Sequence, residues 1–163
     1  MIFVDSNVPM YLVGDDASHK ADAERLLERC VRNRESLVTD AEVFQEILHR
    51  YVAIRRPQAI QPAFDVLISM TDDVFPIDRS SVERAKTIVL GYAQLSARDA
   101  IHLAVMERQG VSRILSFDQG LDVFPGIQRI DGSSTVHEKP AARMDGYLEG
   151  MKTRPLREKR DRR

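Results

Sequence analysis

The sequence predicts an α/β protein whose parallel sheet is covered by helices on both faces. Short apolar runs alternate with longer segments in which apolar residues recur at helical spacing, the pattern of strands joined by crossover helices. Hydrophobic residues make up 43% of the 163 residues, enough for a sizeable core. Five such runs therefore predict a three-layer α/β/α domain with a five-stranded parallel sheet.

The elements follow from the apolar periodicity and from capping signals at the helix ends. Strands are predicted over residues 2–4, 37–38, 74–77, 113–117 and 127–130. Helices are predicted over residues 8–13, 18–32, 40–56, 62–70, 81–90 and 97–109. Pro9 suits a first helical turn, and Gly110 suits a helix end. Four helix starts carry a capping signal: Ser18, Thr39-x-x-Glu42, Ser80-x-x-Glu83 and Ser96-x-x-Asp99.

Composition divides the chain after Asp131. Residues 1–131 form the predicted domain, and residues 132–163 are predicted to be a polar, flexible tail with a basic end. Residues 152–163 carry seven basic and two acidic side chains, a net +5; since the whole chain carries −1, the rest carries −6. An acidic body is not the signature of a protein that coats a nucleic acid duplex, which is basic across a face.

The single cysteine and the short apolar runs indicate the compartment. Cys30 lies in a helical apolar stripe and is expected to be buried, and one cysteine cannot form an internal disulfide. No run approaches the roughly 20 apolar residues that a membrane span needs. We therefore expect a soluble cytoplasmic protein without a membrane partner.

Four acidic residues stand at separated points of the chain: Asp5, Asp99 and Asp118 near the ends of predicted elements, and Glu46 within a predicted helix. Asp5 and Asp118 follow apolar runs, and in parallel sheets the carboxyl ends of the strands share the edge where ligands bind. Two carboxylates about 4 Å apart repel by roughly 4 kcal/mol near a protein surface. A chain that gathers four of them is expected to hold a hard divalent cation against them.

Each acid also has an ordinary structural interpretation. Asp5 and Asp118 could each form a turn or a cap. Glu46 could pair with Arg50 one helical turn later. Asp99 stands at position N3 of the Ser96 capping box. A helix N-terminus also keeps a carboxylate ionised and available as a ligand.

His102 follows Asp99 by one turn in a helix that is apolar nearly all round. It is interpreted as a histidine of the core or its rim, with a role behind the acidic site as the alternative.

Taken together, these segments resemble a PIN domain, and most closely the VapC-type toxins of bacterial toxin–antitoxin pairs. The resemblance rests on Val4-Asp5-Ser6-Asn7, Glu46 with the five residues before it, Ala97-Arg98-Asp99-Ala100-Ile101-His102-Leu103-Ala104, and Ser116-Phe117-Asp118. It covers about residues 1–131. It implies an endoribonuclease that depends on Mg²⁺ or Mn²⁺, that forms a homodimer and that an antitoxin protein blocks.

The resemblance also implies roles for individual residues. Asp5, Glu46, Asp99 and Asp118 would form the catalytic acidic site, with Asp5, Asp99 and Asp118 as metal ligands. Asn7 and Ser116 would support it, whereas Asp122 matches the family pattern less well. By their position beside the acids, Arg98 and Arg50 are candidates to contact the RNA substrate, with solvated helix charges as the alternative.

Two other function classes remain open at this point. One is a catalytically silent PIN-like module that acts through protein contacts, although the presence of all four acids argues against it. The other is a metal-dependent phosphatase on a similar sheet. An aspartyl nucleophile in such enzymes typically has a second Asp two residues later, where this chain has Asn7.

Overall fold

The computed structural model describes residues 1–131, which contain five strands and six α-helices. In chain order these are β1 Ile2–Val4, α1 Asn7–Val13, α2 Ala17–Arg32, β2 Leu37–Asp40, α3 Ala41–Ala53, α4 Ile60–Met70, β3 Asp73–Phe75, α5 Arg79–Gly91, α6 Ala97–Gln109, β4 Arg113–Leu115 and β5 Gln128–Ile130. Short 3₁₀ turns occupy Pro57–Ala59 and Gln119–Val123. The predicted tail of residues 132–163 lies outside the described residues.

The five strands form one parallel sheet in the order β3-β2-β1-β4-β5. The predicted fold class is therefore confirmed. From β1 the chain builds outwards through β2 to β3, and it then returns to place β4 on the other side of β1. Because crossovers between parallel strands are right-handed, this reversal puts helices on both faces. It also opens a crevice between the carboxyl ends of β1 and β4.

The centre of the sheet is the best-buried part of the domain. All three residues of β1 are buried. The two strands beside it, β2 and β4, are also buried at Leu37, Val38, Ile114 and Leu115. Helix α6 buries six of its residues, including His102. Cys30 is buried on α2, as predicted. Among residues 1–131, no helix is long and apolar enough to cross a membrane.

Three of the four predicted helix caps are wrong, and an aspartate is the cap in each case. Asp16, not Ser18, caps α2. Asp40, not Thr39, caps α3. Asp78, not Ser80, caps α5.

The Ser96–Asp99 capping box of α6 is confirmed, and Gly110 ends that helix with a left-handed φ of 67°. Other boundaries shift slightly. Helix α3 ends three residues before its predicted end, and Arg55 takes a positive φ of 55° before Pro57. The strand predicted over 113–117 ends at Leu115.

Candidate active site

Asp5 leaves β1 at the carboxyl edge of the sheet and is held by three hydrogen bonds. The backbone N–H of Ser6 donates to its Oδ1 at 2.6 Å. Its Oδ2 accepts from the Asn7 amide at 2.7 Å and from the Ser116 hydroxyl. The side chain is 7% exposed, and burial raises the pKa of this carboxyl above its ordinary value. Asp5 therefore has a fixed orientation and a cost of ionisation that a nearby positive charge would offset.

Asn7 and Ser116 connect the ends of β1 and β4. Besides its bond to Asp5, the Asn7 amide nitrogen donates to Ser116 Oγ at 3.1 Å, and Asn7 Oδ1 accepts from the Phe117 N–H at 3.3 Å. Ser116 is fully buried, and its Oγ also accepts from the Asp118 N–H at 3.0 Å. These contacts tie the loop that carries Asp118 to the loop that carries Asp5.

Asp99 and Asp118 each commit one carboxylate oxygen to the backbone. Asp99 Oδ2 accepts from the Ser96 N–H at 2.9 Å, which completes the capping box of α6. Asp118 Oδ1 accepts from the Gly120 N–H at 2.7 Å. Asp99 and Asp118 therefore do have the capping and turn roles that were predicted as alternatives. Each role uses one carboxylate oxygen and leaves the other for a ligand.

Glu46 points inward from α3 instead of pairing with Arg50. Its carboxylate lies 3.8 Å from the Arg98 guanidinium and 3.8 Å from His102 Nε2. Burial favours the neutral form of Glu46, but His102 and Arg98 outweigh it and lower the pKa of this carboxyl. Glu46 is thus ionised at neutral pH.

The four acids meet in one open cavity of about 420 Å³. Its lining consists of Asp5, Ser6, Asn7, Glu46, Ser96, Ala97, Arg98, Asp99 and Asp118. The structure therefore brings the four acids together, as predicted. Oxygen-rich walls of this kind suit a hard cation such as Mg²⁺ or Mn²⁺.

Two of the residues named from the sequence lie apart from this cavity. Asp122 is exposed and forms a two-pronged ion pair with Arg129, at 2.8 and 2.9 Å. Arg50 is exposed on α3 and does not line the cavity. Arg98 does line it, at 3.9 Å from Glu42 and 3.8 Å from Glu46.

A buried pair, Asp40 and His102, lies beneath the acids. Asp40 is fully buried and His102 is 2% exposed. The two side chains are joined by a 2.9 Å contact between His102 Nδ1 and Asp40 Oδ2. His102 is thus a core histidine, as expected, but its other nitrogen faces the site: single ligand atoms of Asp5, Glu46 and His102 all lie within 4.8 Å of one another.

The charges around His102 decide its protonation. Burial by itself lowers the pKa of an imidazole, but Asp40, with Glu46 and Asp5, raises the pKa of His102 well above 6.5. These carboxylates therefore favour the protonated form of the ring beneath the acidic cavity. Asp40 had no predicted role, and its position directly before the helix that carries Glu46 was the signal available in the sequence.

Comparison with known proteins agrees with this geometry. Residues 2–127 match the family model of the PIN domain. The chain is 58% identical over 130 residues to the ribonuclease VapC13 of Mycobacterium tuberculosis, an alignment that covers 80% of this chain and 99% of that protein.

Two solved structures share the fold. A crystal structure of the sarcin-ricin loop cleaving toxin VapC20 of Mycobacterium tuberculosis superposes with a TM-score of 0.62 at 20% identity, over 75% of this chain and 93% of that one. The structure of VapBC2 from Rickettsia felis bound to a promoter DNA fragment superposes with a TM-score of 0.62 at 12% identity, over 80% of this chain and 98% of that one. From the family match, the identity to VapC13 and the shared fold, we conclude that the chain belongs to the PIN-domain family and, within it, to the VapC-type ribonucleases.

Proposed function

We propose that the protein is a divalent-metal-dependent endoribonuclease that acts as the toxin of a VapBC-type toxin–antitoxin pair. The observation that carries the proposal is the meeting of Asp5, Glu46, Asp99 and Asp118 in one open cavity. These residues come from four separate segments of the chain. Neither capping nor local turns would require all four to converge.

The donor set fits Mg²⁺ or Mn²⁺. Asp5, Asp99 and Asp118 would hold the ion through carboxylate oxygens, the ligands that hard cations prefer. A bound ion supplies the positive charge that lets an anionic phosphodiester approach and lowers the pKa of a coordinated water. Asp5, which is costly to ionise in its buried position, would gain most from that charge.

The protein's own side chains would orient the reaction. Ser6, Asn7 and Ser116 hold the Asp5 carboxylate in one direction. Glu46 is ionised and lines the cavity, so it can accept a proton from the attacking water. In-line attack would leave a 5′-phosphate and a 3′-hydroxyl.

The RNA would be held at the mouth of the cavity. Arg98 is the basic residue in the cavity lining, and its contacts to Glu42 and Glu46 are long, at 3.9 and 3.8 Å. Its guanidinium can therefore turn to a phosphate oxygen without losing a short ion pair. Arg50 is a weaker candidate, since it lies outside the lining.

Protein partners form the second part of the proposal. We propose a cognate antitoxin, a homodimer and a cytoplasmic location. Exposed apolar side chains on α3 and α4, namely Leu48, Val52 and Ile68, support a protein contact on that surface.

Cleavage of structured RNA by the purified protein tests the proposal. We expect cleavage with Mg²⁺ or Mn²⁺, its loss on adding EDTA, and its loss in Asp99→Asn. The asparagine oxygen can still accept from the Ser96 N–H, so the helix cap and the fold should persist. Asp65→Asn, on the exposed surface of α4, is the matched control and should cleave normally. Equal cleavage by wild type and Asp99→Asn would assign the activity to a contaminant or to another site.

Isothermal titration with Mn²⁺ separates an enzyme from a silent module. We expect a binding isotherm in wild type that weakens in Asp99→Asn. A wild-type protein that binds no Mn²⁺ and cleaves no RNA would favour a PIN-like module that acts through protein contacts alone.

A further inference from the structure

The imidazole of His102 lies between two carboxylates that have different tasks. On one side, Nδ1 contacts Asp40 Oδ2 at 2.9 Å. On the other side, Nε2 lies 3.8 Å from Glu46 Oε2. Asp40 belongs to the end of β2, whereas Glu46 lines the cavity, so the ring connects the buried sheet to the proposed site.

Asp40 fixes the orientation of the ring. Asp40 Oδ2 accepts in this contact, so Nδ1 carries the hydrogen. Asp40 is itself held, because its Oδ1 accepts from the Val43 N–H at 3.1 Å as the cap of α3. Phe3 packs against the ring with a centroid distance of 5.4 Å. The ring therefore has little freedom to rotate.

The second nitrogen lacks a partner although it is buried. Among the residues that the structure describes, His102 Nε2 is the one buried side-chain nitrogen or oxygen without a hydrogen bond. A buried polar atom left unpaired costs about 1–3 kcal/mol. The Glu46 carboxylate, at 3.8 Å, lies about 1 Å beyond normal hydrogen-bond length, so a small movement of its side chain would complete the pair.

We propose that His102 is a positioning residue that holds the Glu46 carboxylate through an Nε2–H bond, with Asp40 fixing the ring. This inference rests on the proposed ribonuclease function for its effect on rate. His102 does not line the cavity, so it acts through Glu46 and does not touch the RNA. Its loss should lower kcat and leave KM unchanged.

Two substitutions separate the halves of the contact. His102→Asn keeps an amide near the position of Nδ1, where it can still donate to Asp40, but it is too short to reach Glu46. His102→Gln places its amide near the position of Nε2, where it can donate to Glu46. Each variant keeps one contact and loses the other. A role limited to holding Asp40 would let Asn retain more activity, whereas positioning of Glu46 requires Gln to retain more.

We expect His102→Asn to lose about tenfold to a hundredfold in kcat, the usual loss for residues that orient an active-site ligand, and His102→Gln to lose clearly less. Phe3→Leu is the control, since it disturbs packing on the ring without removing a donor to Glu46. In a Glu46→Gln background, His102→Asn should have little further effect on kcat. Equal losses in the two His102 variants, or an undiminished effect in the Glu46→Gln background, would overturn the inference.

A second measurement does not depend on RNA cleavage. In protein labelled with ¹⁵N-histidine, Glu46→Gln should shift the Nε2–H resonance of His102 and leave its Nδ1–H resonance in place. An unchanged Nε2 resonance would refute the contact. If Glu46→Gln shifts this resonance but the wild-type protein cleaves no RNA, the ribonuclease proposal is refuted and the contact between His102 and Glu46 stands.

Discussion

Replacing Ser116 by alanine should weaken both the fold and the proposed metal site. The hydroxyl donates to Asp5, and it accepts from the Asn7 amide and the Asp118 N–H. A hydrogen bond to a charged group contributes about 1.5–3 kcal/mol. Asp5 keeps its bond to Asn7, and the Asp118 N–H belongs to an exposed residue that water can reach. The expected loss is therefore about 2 kcal/mol in the free energy of unfolding, the contribution of the one bond to the Asp5 carboxylate.

Chemical denaturation and thermal melting measure this loss. For a domain of this size, about 2 kcal/mol corresponds to a fall in Tm of roughly 6–8 °C. Ser112→Ala is the matched control, because Ser112 is exposed just before β4 and its side chain supports no acid. That variant should stay within about 0.5 kcal/mol of wild type, as surface substitutions usually do.

The same pair of variants tests the link to metal. Without Ser116 the Asp5 carboxylate loses one of its three hydrogen bonds, so Mn²⁺ should bind Ser116→Ala about tenfold or more weakly, as when other supporting partners are removed. If Ser116→Ala had the same Tm as Ser112→Ala and bound Mn²⁺ as tightly as wild type, the hydrogen bonds between Asp5, Asn7 and Ser116 would contribute nothing to stability or to metal binding.

Three further predictions concern the rest of the domain. Gly110→Ala should destabilise by about 1 kcal/mol in urea unfolding, because Gly110 has a φ of 67° and no steric contact, whereas Gly91→Ala at the end of α5 should be neutral or stabilising. The pKa of Asp78 lies below its ordinary 3.8, through its bonds to Ser81, Ser80 and Arg108. Its contribution to stability is thus present above pH 3.8 and lost as pH falls towards the folded-state pKa, so Asp78→Asn should flatten the acid end of the stability curve. Arg113→Lys should cost about 0.5–1 kcal/mol in a denaturant titration by removing the two-pronged contact to Glu35.

The general architecture and the four acids were predictable because they depend on features that are local in the sequence. Each strand is a short apolar run. Asp5, Asp99 and Asp118 stand near the ends of elements, whereas Glu46 lies within α3. The rule that parallel strands share a functional edge then brings distant residues such as Asp5 and Asp118 together. None of these steps requires knowledge of side-chain packing.

The helix caps were less predictable because two neighbouring residues can compete for one position. In each wrong case an aspartate lies within two residues of the predicted serine or threonine. At α3, Thr39 still belongs to β2 and its hydroxyl donates to the Val4 carbonyl at 2.9 Å. This leaves Asp40 to cap the helix. At α6 the chain offers no aspartate just before Ser96, and the predicted cap is confirmed.

The contact between Asp40 and His102 could not be predicted because it joins residues 62 positions apart. Helical periodicity places His102 on an inward face but does not name what it meets there. For Asp40, the residue type predicts a position on the surface, since aspartate is almost never fully buried without a partner. Only the packing of α6 against β2 supplies that partner.

The order of the strands has a consequence for synthesis of the protein. Asp5 follows β1, but β4, the strand that pairs with β1, is made more than 100 residues later. A ribosome-bound chain that ends before Asp118 therefore carries the first acid without the last. A cell that makes this ribonuclease is therefore exposed to its activity only once nearly the whole domain has emerged, which leaves time for the proposed antitoxin to be present.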